Sequence, residues 1–229
     1  MSTTTATSVP AAAKRVFVVD DHPIVRQGLE AQIANQPALT MCGEAEDIAD
    51  AVTRIGEAKP DLVIVDISLK NGNGIDLVKR LKAKTPSLRI LVWSMYPDNL
   101  YAERALRAGA QGYVNKGVDA GKIMEAIHAV LAGRTYLSPD MSAKLLGRIT
   151  GGELDGPAYI DRLTDRELEA FDHLGHGLTT QQIAVKMHVS PKTVETYRAR
   201  IKEKLGLANA TELVQHAVQW VMGKAAPEA

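Results

Sequence analysis

A chain of 229 residues, 45% hydrophobic and 24% charged, has room for one or two ordinary soluble domains. Lys+Arg and Asp+Glu both total 27, so overall charge points to no polyanionic partner, and the longest apolar runs (VFVV, LVIV, ILVW) are too short to span a membrane. The single cysteine, Cys42, excludes an internal disulfide and a thiolate metal cage, and reads as a buried structural thiol.

The opening MSTTTATSVPAAA lacks the basic start and apolar core of a secretory signal. It reads as a disordered arm of a cytoplasmic protein. From residue 14 to 134, five strand candidates follow: RVFVVD (15–20), ALTMCG (38–43), DLVIVD (61–66), RILVWS (89–94) and AQGYVN (110–115). The first, third and fourth are almost continuously apolar, as strands covered on both sheet faces are. Helix patterns separate them at 23–35, 47–58, 74–84 and 98–108, and a fifth follows at 119–132. Five βα units in series predict a doubly wound five-stranded parallel sheet.

The rhythm breaks over 135–160, where a short helical piece precedes TGGELDGPAY, a linker composition. Beyond it, 161–224 holds no strand pattern and four helix candidates: 165–174, 180–187, 191–205 and 209–222. The expected architecture is an α/β domain, a linker and an all-α four-helix domain.

Ligands of open parallel sheets bind outside the carboxyl ends of the strands. At that end the first strand runs into Asp20 and Asp21, the third into Asp66, the fourth into Ser94 and the fifth into Lys116. Carboxylates about 5 Å apart at an effective dielectric of about 20 repel by on the order of 3 kcal/mol per pair. A hard divalent cation relieves this, and Mg²⁺ favours a few carboxylates, waters and a phosphoryl oxygen. Asp66 then serves as metal ligand and nucleophile, since a carboxylate accepts phosphoryl groups. Lys116 supplies charge to the phosphoryl oxygens and Ser94 a hydrogen bond. Each residue alone has a bland reading as a cap or turn; their convergence at one rim does not.

VVDDHP, VDISLKNGNGIDL, LVWSMY and GYVNKG resemble the signature segments of bacterial two-component receiver domains, which have a flavodoxin-like fold. The resemblance implies Asp66 as phosphoacceptor, and Asp20, Asp21, Asp66 and the Ser68 backbone carbonyl as Mg²⁺ ligands. It further implies Ser94, Tyr113 and Lys116 as the switch residues. Lys70 and Gly117 stand where many receivers have proline, so a cis peptide after Lys116 is not expected. The rival is a haloacid-dehalogenase-type phosphatase, which needs a second acid where this chain has Ser68. Slow self-dephosphorylation rather than turnover is therefore expected, with Tyr96 shielding the phosphoryl group from water.

In the C-terminal domain, Thr164 with Glu167 forms a capping-box pattern, Thr179 or Thr180 suits the next cap, and Ser190–Pro191 starts a third helix. Val194, Ile201 and Leu205 make its core stripe. From Lys186 to Lys204 six basic side chains face two acidic ones, a local excess suited to a phosphate backbone. The segment resembles the LuxR-type output domain of NarL/FixJ response regulators. That implies Glu195, Thr196 and Ala199 at base edges, and Lys192, Thr193, Tyr197 and Arg198 at phosphates, with Arg200 on the same basic helix. The last helix has Leu213, Ala217, Trp220 and Val221 near one face, which packing onto the helix-turn-helix explains in part. The resemblance implies that this helix also pairs two subunits as a homodimer. The resemblance as a whole implies a sensor histidine kinase and double-stranded DNA as partners, with no membrane. His173 and His176, three apart, read as ordinary surface and core side chains.

Overall fold

The computed structural model describes residues 12–117, 121–149 and 160–225. The first strands and helices alternate as β1 (Lys14–Val19), α1 (Pro23–Ala34), β2 (Leu39–Ala45), α2 (Ile48–Ala58) and β3 (Leu62–Val65). They continue as α3 (Gly74–Lys84), β4 (Arg89–Ser94), α4 (Asp98–Ala108), β5 (Gly112–Asn115) and α5 (Gly121–Leu131). All strand pairs of the sheet are parallel, in the order β2-β1-β3-β4-β5. The order reverses between β1 and β3, and a parallel sheet opens its ligand crevice at such a point. Asp20 leaves β1 and Asp66 leaves β3, so the acidic residues flank this crevice.

Side chains alternate across the strands, which splits the core in two. Val16, Val18, Leu62, Ile64 and Leu91 meet Leu29 and Ile33 of α1 and Ile123 and Ile127 of α5. Phe17, Val19, Val63, Val65, Ile90 and Val92 face the other way, and that cluster continues into Leu163, Leu168 and Phe171 of the C-terminal domain. Cys42 is the extra residue of a bulge, because Val16 pairs with Met41 while Phe17 pairs with Gly43. A side chain at Gly43 would meet the Phe17 ring.

Within the expected linker, Pro139–Ile149 forms α6, whose Met141 is buried. The Gly-rich TGGELDGPA part lies outside the described residues. A short 3-10 turn (Ile160–Arg162) then leads into α7 (Asp165–Gly175), α8 (Thr180–Lys186), α9 (Pro191–Leu205) and α10 (Ala210–Ala225). Thr164 and Glu167 close the capping box of α7. Thr179, rather than Thr180, caps α8 with Gln182, which leaves the Thr180 hydroxyl to other work. Ser190 accepts from the Thr193 amide ahead of Pro191 at the start of α9. Val194, Ile201, Leu213, Ala217 and Trp220 are buried, and the Phe171 and Trp220 rings lie 5.3 Å apart. Gly175 permits the α7–α10 crossing, since a Cβ there would strike the Ala217 carbonyl.

Candidate functional site: an acidic pocket beneath a helix-turn-helix

The residues after β1, β3, β4 and β5 converge. Asp20 and Asp66 are 1% and 3% exposed and Ser94 is fully buried, a degree of burial that ionised carboxylates tolerate only when paired. Their partner is Lys116, whose Nζ lies 2.5 Å from Oδ2 of both Asp20 and Asp66. The His22 amide donates to Asp20 Oδ1 at 2.9 Å, and Arg26 donates to the Asp20 carbonyl at 2.7 Å, which fixes the turn after β1. Gly74, at the start of α3, packs so closely under Asp66 that a Cβ would fall on the Asp66 carbonyl. Its amide donates to the Ile67 carbonyl at 2.8 Å.

Burial pushes the Asp66 carboxyl above its ordinary range; Lys116 opposes this, the Asp20 charge reinforces it, and hydrogen bonds from Lys116 and Ser94 oppose it again. Burial also works against the Lys116 cation, but the charges of Asp66 and Asp20 prevail and raise its pKa. One ligand atom each from Asp20, Asp21, His22 and Asp66 lies within 4.8 Å of the others. This oxygen-rich set with several charges fits a hard divalent cation.

Ser94 closes the pocket floor. The Tyr96 amide sits 3.5 Å from Ser94 Oγ, and the Tyr96 carbonyl accepts from Tyr113 Oη at 2.7 Å and from Asn115 Nδ2 at 2.9 Å. The Tyr113 ring is buried. Tyr96 lines a cavity together with Asp66, Ser94 and Lys116. Its hydroxyl donates to Glu169 Oε1 of α7 at 2.8 Å, which ties it to the other domain. No peptide bond among the described residues is cis, in agreement with Gly117 after Lys116.

The two domains meet along α7. Asp165 takes Lys79 at 2.9 Å and Arg104 at 3.1 Å, and the same guanidinium donates to the carbonyls of Ile160 and Leu163. Glu169 Oε2 takes Asn73 Nδ2 at 3.3 Å and Arg166 at 3.0 Å. Burial raises the Glu169 pKa, against the pull of Arg166, Tyr96 and Asn73. On the α8–α9 turn, His188 places Nε2 3.3 Å from Asp21 Oδ2. A cavity of about 1020 Å³ remains between the domains; Asp66, Ser94 and Lys116 line it on one side and His173, Lys186 and His188 on the other. His173 is half-buried there, its ring 6.4 Å from that of Tyr96, and burial lowers its pKa.

Most of α9 faces solvent. Lys192, Glu195, Thr196, Ala199 and Arg200 are exposed, while Thr193, Tyr197 and Arg198 are half-buried. Tyr197 lines a smaller cleft against Asn71, Gly72 and Asn73 of the first domain. Glu195 is tied into its own fold: Thr180 Oγ1 donates to its Oε1 at 2.8 Å, and Arg198 donates to both at 3.1 and 2.7 Å. The Thr193 amide donates to the Ser190 hydroxyl that caps the helix, and the Thr196 hydroxyl donates to the Lys192 carbonyl.

Sequence reasoning passed over Glu169, Asp165, Asn73, Lys79 and Arg104. A Glu in RELEAF looks like a solvated helix face. Only the loss of solvent on that face distinguishes it, and the sequence carries no such signal.

Residues 16–128 match the response regulator receiver domain family, and residues 161–217 match the bacterial regulatory proteins of the LuxR family. The chain is 36% identical to the DNA-binding transcriptional activator DevR/DosR of Mycobacterium tuberculosis, over 90% of this chain and 94% of that one. It is 33% identical to response regulator GacA of Pseudomonas aeruginosa, over 93% and 99%. Among solved structures, RcsB of Salmonella enterica serovar Typhimurium, bound to promoter rprA in the presence of phosphomimetic BeF3-, superposes with a TM-score of 0.60. That match has 26% identity and covers 90% of this chain and 98% of that one. A parallel sheet with carboxylates at its switch point, coupled to a helix-turn-helix, makes this a two-component response regulator with a DNA-binding output domain. The chain belongs to the NarL/FixJ-type family, with a receiver domain followed by a LuxR-type output domain. No helix among the described residues is long and apolar enough to cross a membrane.

Proposed function

We propose that this chain is a cytoplasmic transcription factor switched by phosphorylation of Asp66. The observation that carries the reading is the buried Asp66 carboxylate at the sheet's switch point, held 2.5 Å from Lys116 beside Asp20. A sensor histidine kinase is the donor. An Asp66 carboxylate oxygen forms the new bond to phosphorus, and the P–N bond to the donor imidazole breaks with its electron pair leaving on nitrogen. Asp20, Asp21, Asp66 and the Ser68 carbonyl would hold Mg²⁺, which supplies charge neutralisation for the phosphoryl oxygens. Lys116 pairs with a phosphoryl oxygen, and Ser94 donates its hydroxyl to another.

Ser68 offers no carboxylic acid to activate water, so the aspartyl phosphate decays slowly and the chain is a switch rather than a turnover enzyme. Ser94 and Tyr113 carry the state to the output domain. There Lys192, Thr193, Tyr197, Arg198 and Arg200 contact phosphates, and Glu195, Thr196 and Ala199 face base edges of double-stranded DNA, as a homodimer through α10. The acid at Glu195 suits a cytosine amino group. RcsB, solved bound to a promoter in the presence of a phosphomimetic, supports DNA binding by the phosphorylated chain.

Intact mass after incubation with acetyl phosphate, with and without Mg²⁺, tests the reading on wild type and Asp66→Asn. One phosphoryl adduct that needs both Mg²⁺ and Asp66 is expected. An adduct on Asp66→Asn would overturn the assignment. DNA selected from a random pool by the phosphorylated chain then supplies the ligand for binding measurements.

A further inference from the structure

Glu169 is a carboxylate with no exposure to solvent, set in the seam between the domains. Removing such a charge from water is costly unless its oxygens are paired. Of its three donors only Arg166 belongs to its own domain; Tyr96 and Asn73 come from the receiver. A buried charge of this kind adds little net stability over an apolar contact, and its best-attested use is to specify one arrangement over another.

Both receiver donors are coupled to the acidic pocket. Asn73 caps α3 through the Ile75 amide, next to Gly74, whose backbone abuts the Asp66 carbonyl. Tyr96 lies two residues beyond Ser94, with its amide at Ser94 Oγ and its carbonyl held by Tyr113 and Asn115. The Tyr101 ring, 4.7 Å away, supports the Tyr96 ring from the side. The phenol on Glu169 and the hydroxyl of Ser94 are therefore two ends of one short segment.

We infer that Glu169 is the output domain's reader of the receiver: the Tyr96–Glu169 bond is a latch that holds the domains closed while the Ser94 hydroxyl oxygen accepts from the Tyr96 amide. It opens when a phosphoryl group on Asp66 draws that hydroxyl away from the Tyr96 amide. The inference rests on the reading of Asp66 as phosphoacceptor. It gives Tyr96 a coupling role. It also makes opening a matter of α7 leaving the receiver, because the receiver's hydrogen bonds and ion pairs fall on α7 while most of α9 faces solvent.

Hydrogen exchange of α7 amides tests the latch in the full chain, with and without Mg²⁺ and beryllofluoride, for wild type, Tyr96→Phe, Glu169→Gln and the double variant. Wild type should lose α7 protection on forming the beryllofluoride adduct. Tyr96→Phe should exchange about tenfold faster or more without beryllofluoride, the factor carried by one bond to a charged group. The double variant should open no further than the more open single variant, since both act through one bond. Wild-type protection of α7 in Tyr96→Phe, or additive effects in the double variant, would overturn the latch. So would an equal loss of protection across β1 and β3, which would mark general unfolding. If wild type forms no adduct by mass, the Asp66 reading fails, and the latch stands or falls on Tyr96→Phe alone.

Discussion

Arg104 on α4 holds the Asp165 carboxylate at 3.1 Å while the same guanidinium donates to the Leu163 and Ile160 carbonyls at 2.9 and 2.8 Å. One receiver side chain thus grips the entry to the output domain through three acceptors. Both members of the ion pair are largely buried, so solvent screens them little. Arg104→Ala should loosen the closed form of the unphosphorylated chain, seen as faster cleavage of the interdomain segment by a protease. Arg104→Lys should recover little, because a point ammonium does not reproduce the planar fork that reaches two carbonyls and a carboxylate. Equal cleavage of all three proteins would show that this grip does not hold the domains together.

Gly74→Ala should damage the receiver from beneath its acidic pocket. The added methyl falls on the Asp66 carbonyl, which is backbone and cannot rotate away. Overpacking of this kind costs about 1–3 kcal/mol. The expected result is a lower unfolding midpoint in urea together with slower phosphoryl uptake from acetyl phosphate. Gly147→Ala, at a helical site where a Cβ meets nothing within 4 Å, is the control: it should leave phosphoryl uptake unchanged and the midpoint unchanged or slightly raised, as alanine favours a helix over glycine.

These two sites mark the limits of the sequence. Asp20, Asp66, Ser94 and Lys116 were legible because each ends an apolar strand, and strand polarity alone sends those ends to one rim. Thr164 and Ser190 were legible because caps are local chemistry. Thr179 and Thr180 could not be told apart until the Thr180 hydroxyl was found on Glu195. The interface was not legible at all. Asp165 doubles as a first-turn acid of α7, and Glu169 shares the helix face of Arg166, so local rules already account for both. Their burial arises from docking, which depends on the shape of two finished domains. The tie from the Tyr96 hydroxyl to Glu169 was hidden for the same reason: the two lie 73 residues apart.

Lys116→Met should make the receiver depend on divalent metal for stability. The wild-type ammonium sits between two buried carboxylates. Removing one partner of a buried ion pair typically costs 3–5 kcal/mol. Without Mg²⁺ the variant should therefore melt well below wild type. Added Mg²⁺ should raise its melting temperature more than it raises that of wild type, since a ligand that binds only the folded state stabilises it. An equal Mg²⁺ response in both proteins would mean that Lys116 and the cation do not relieve the same repulsion.

Acid should unfold the output domain partly through Glu167. Burial works against its ionised form, but Lys204 at 2.6 Å and the Thr164 cap outweigh it and hold the carboxyl below its usual range. A lowered folded-state pKa means that the unfolded chain binds more protons in the window between the two values. The stabilisation is therefore present above the unfolded value, about 4.3, and is lost as pH falls through the lower folded value. Glu167→Gln removes this dependence: it should be less stable than wild type at neutral pH, with the gap closing below pH of about 4. Lys204→Met should narrow the same gap from the other side, because Glu167 then loses the cation that lowers it. Denaturant unfolding of the full chain at several pH values, followed by fluorescence on a Trp93→Phe background so that Trp220 is the one indole reporting, measures both. A wild-type to Glu167→Gln difference that stays constant from pH 7 to pH 3 would show that Glu167 titrates alike in the folded and unfolded chain.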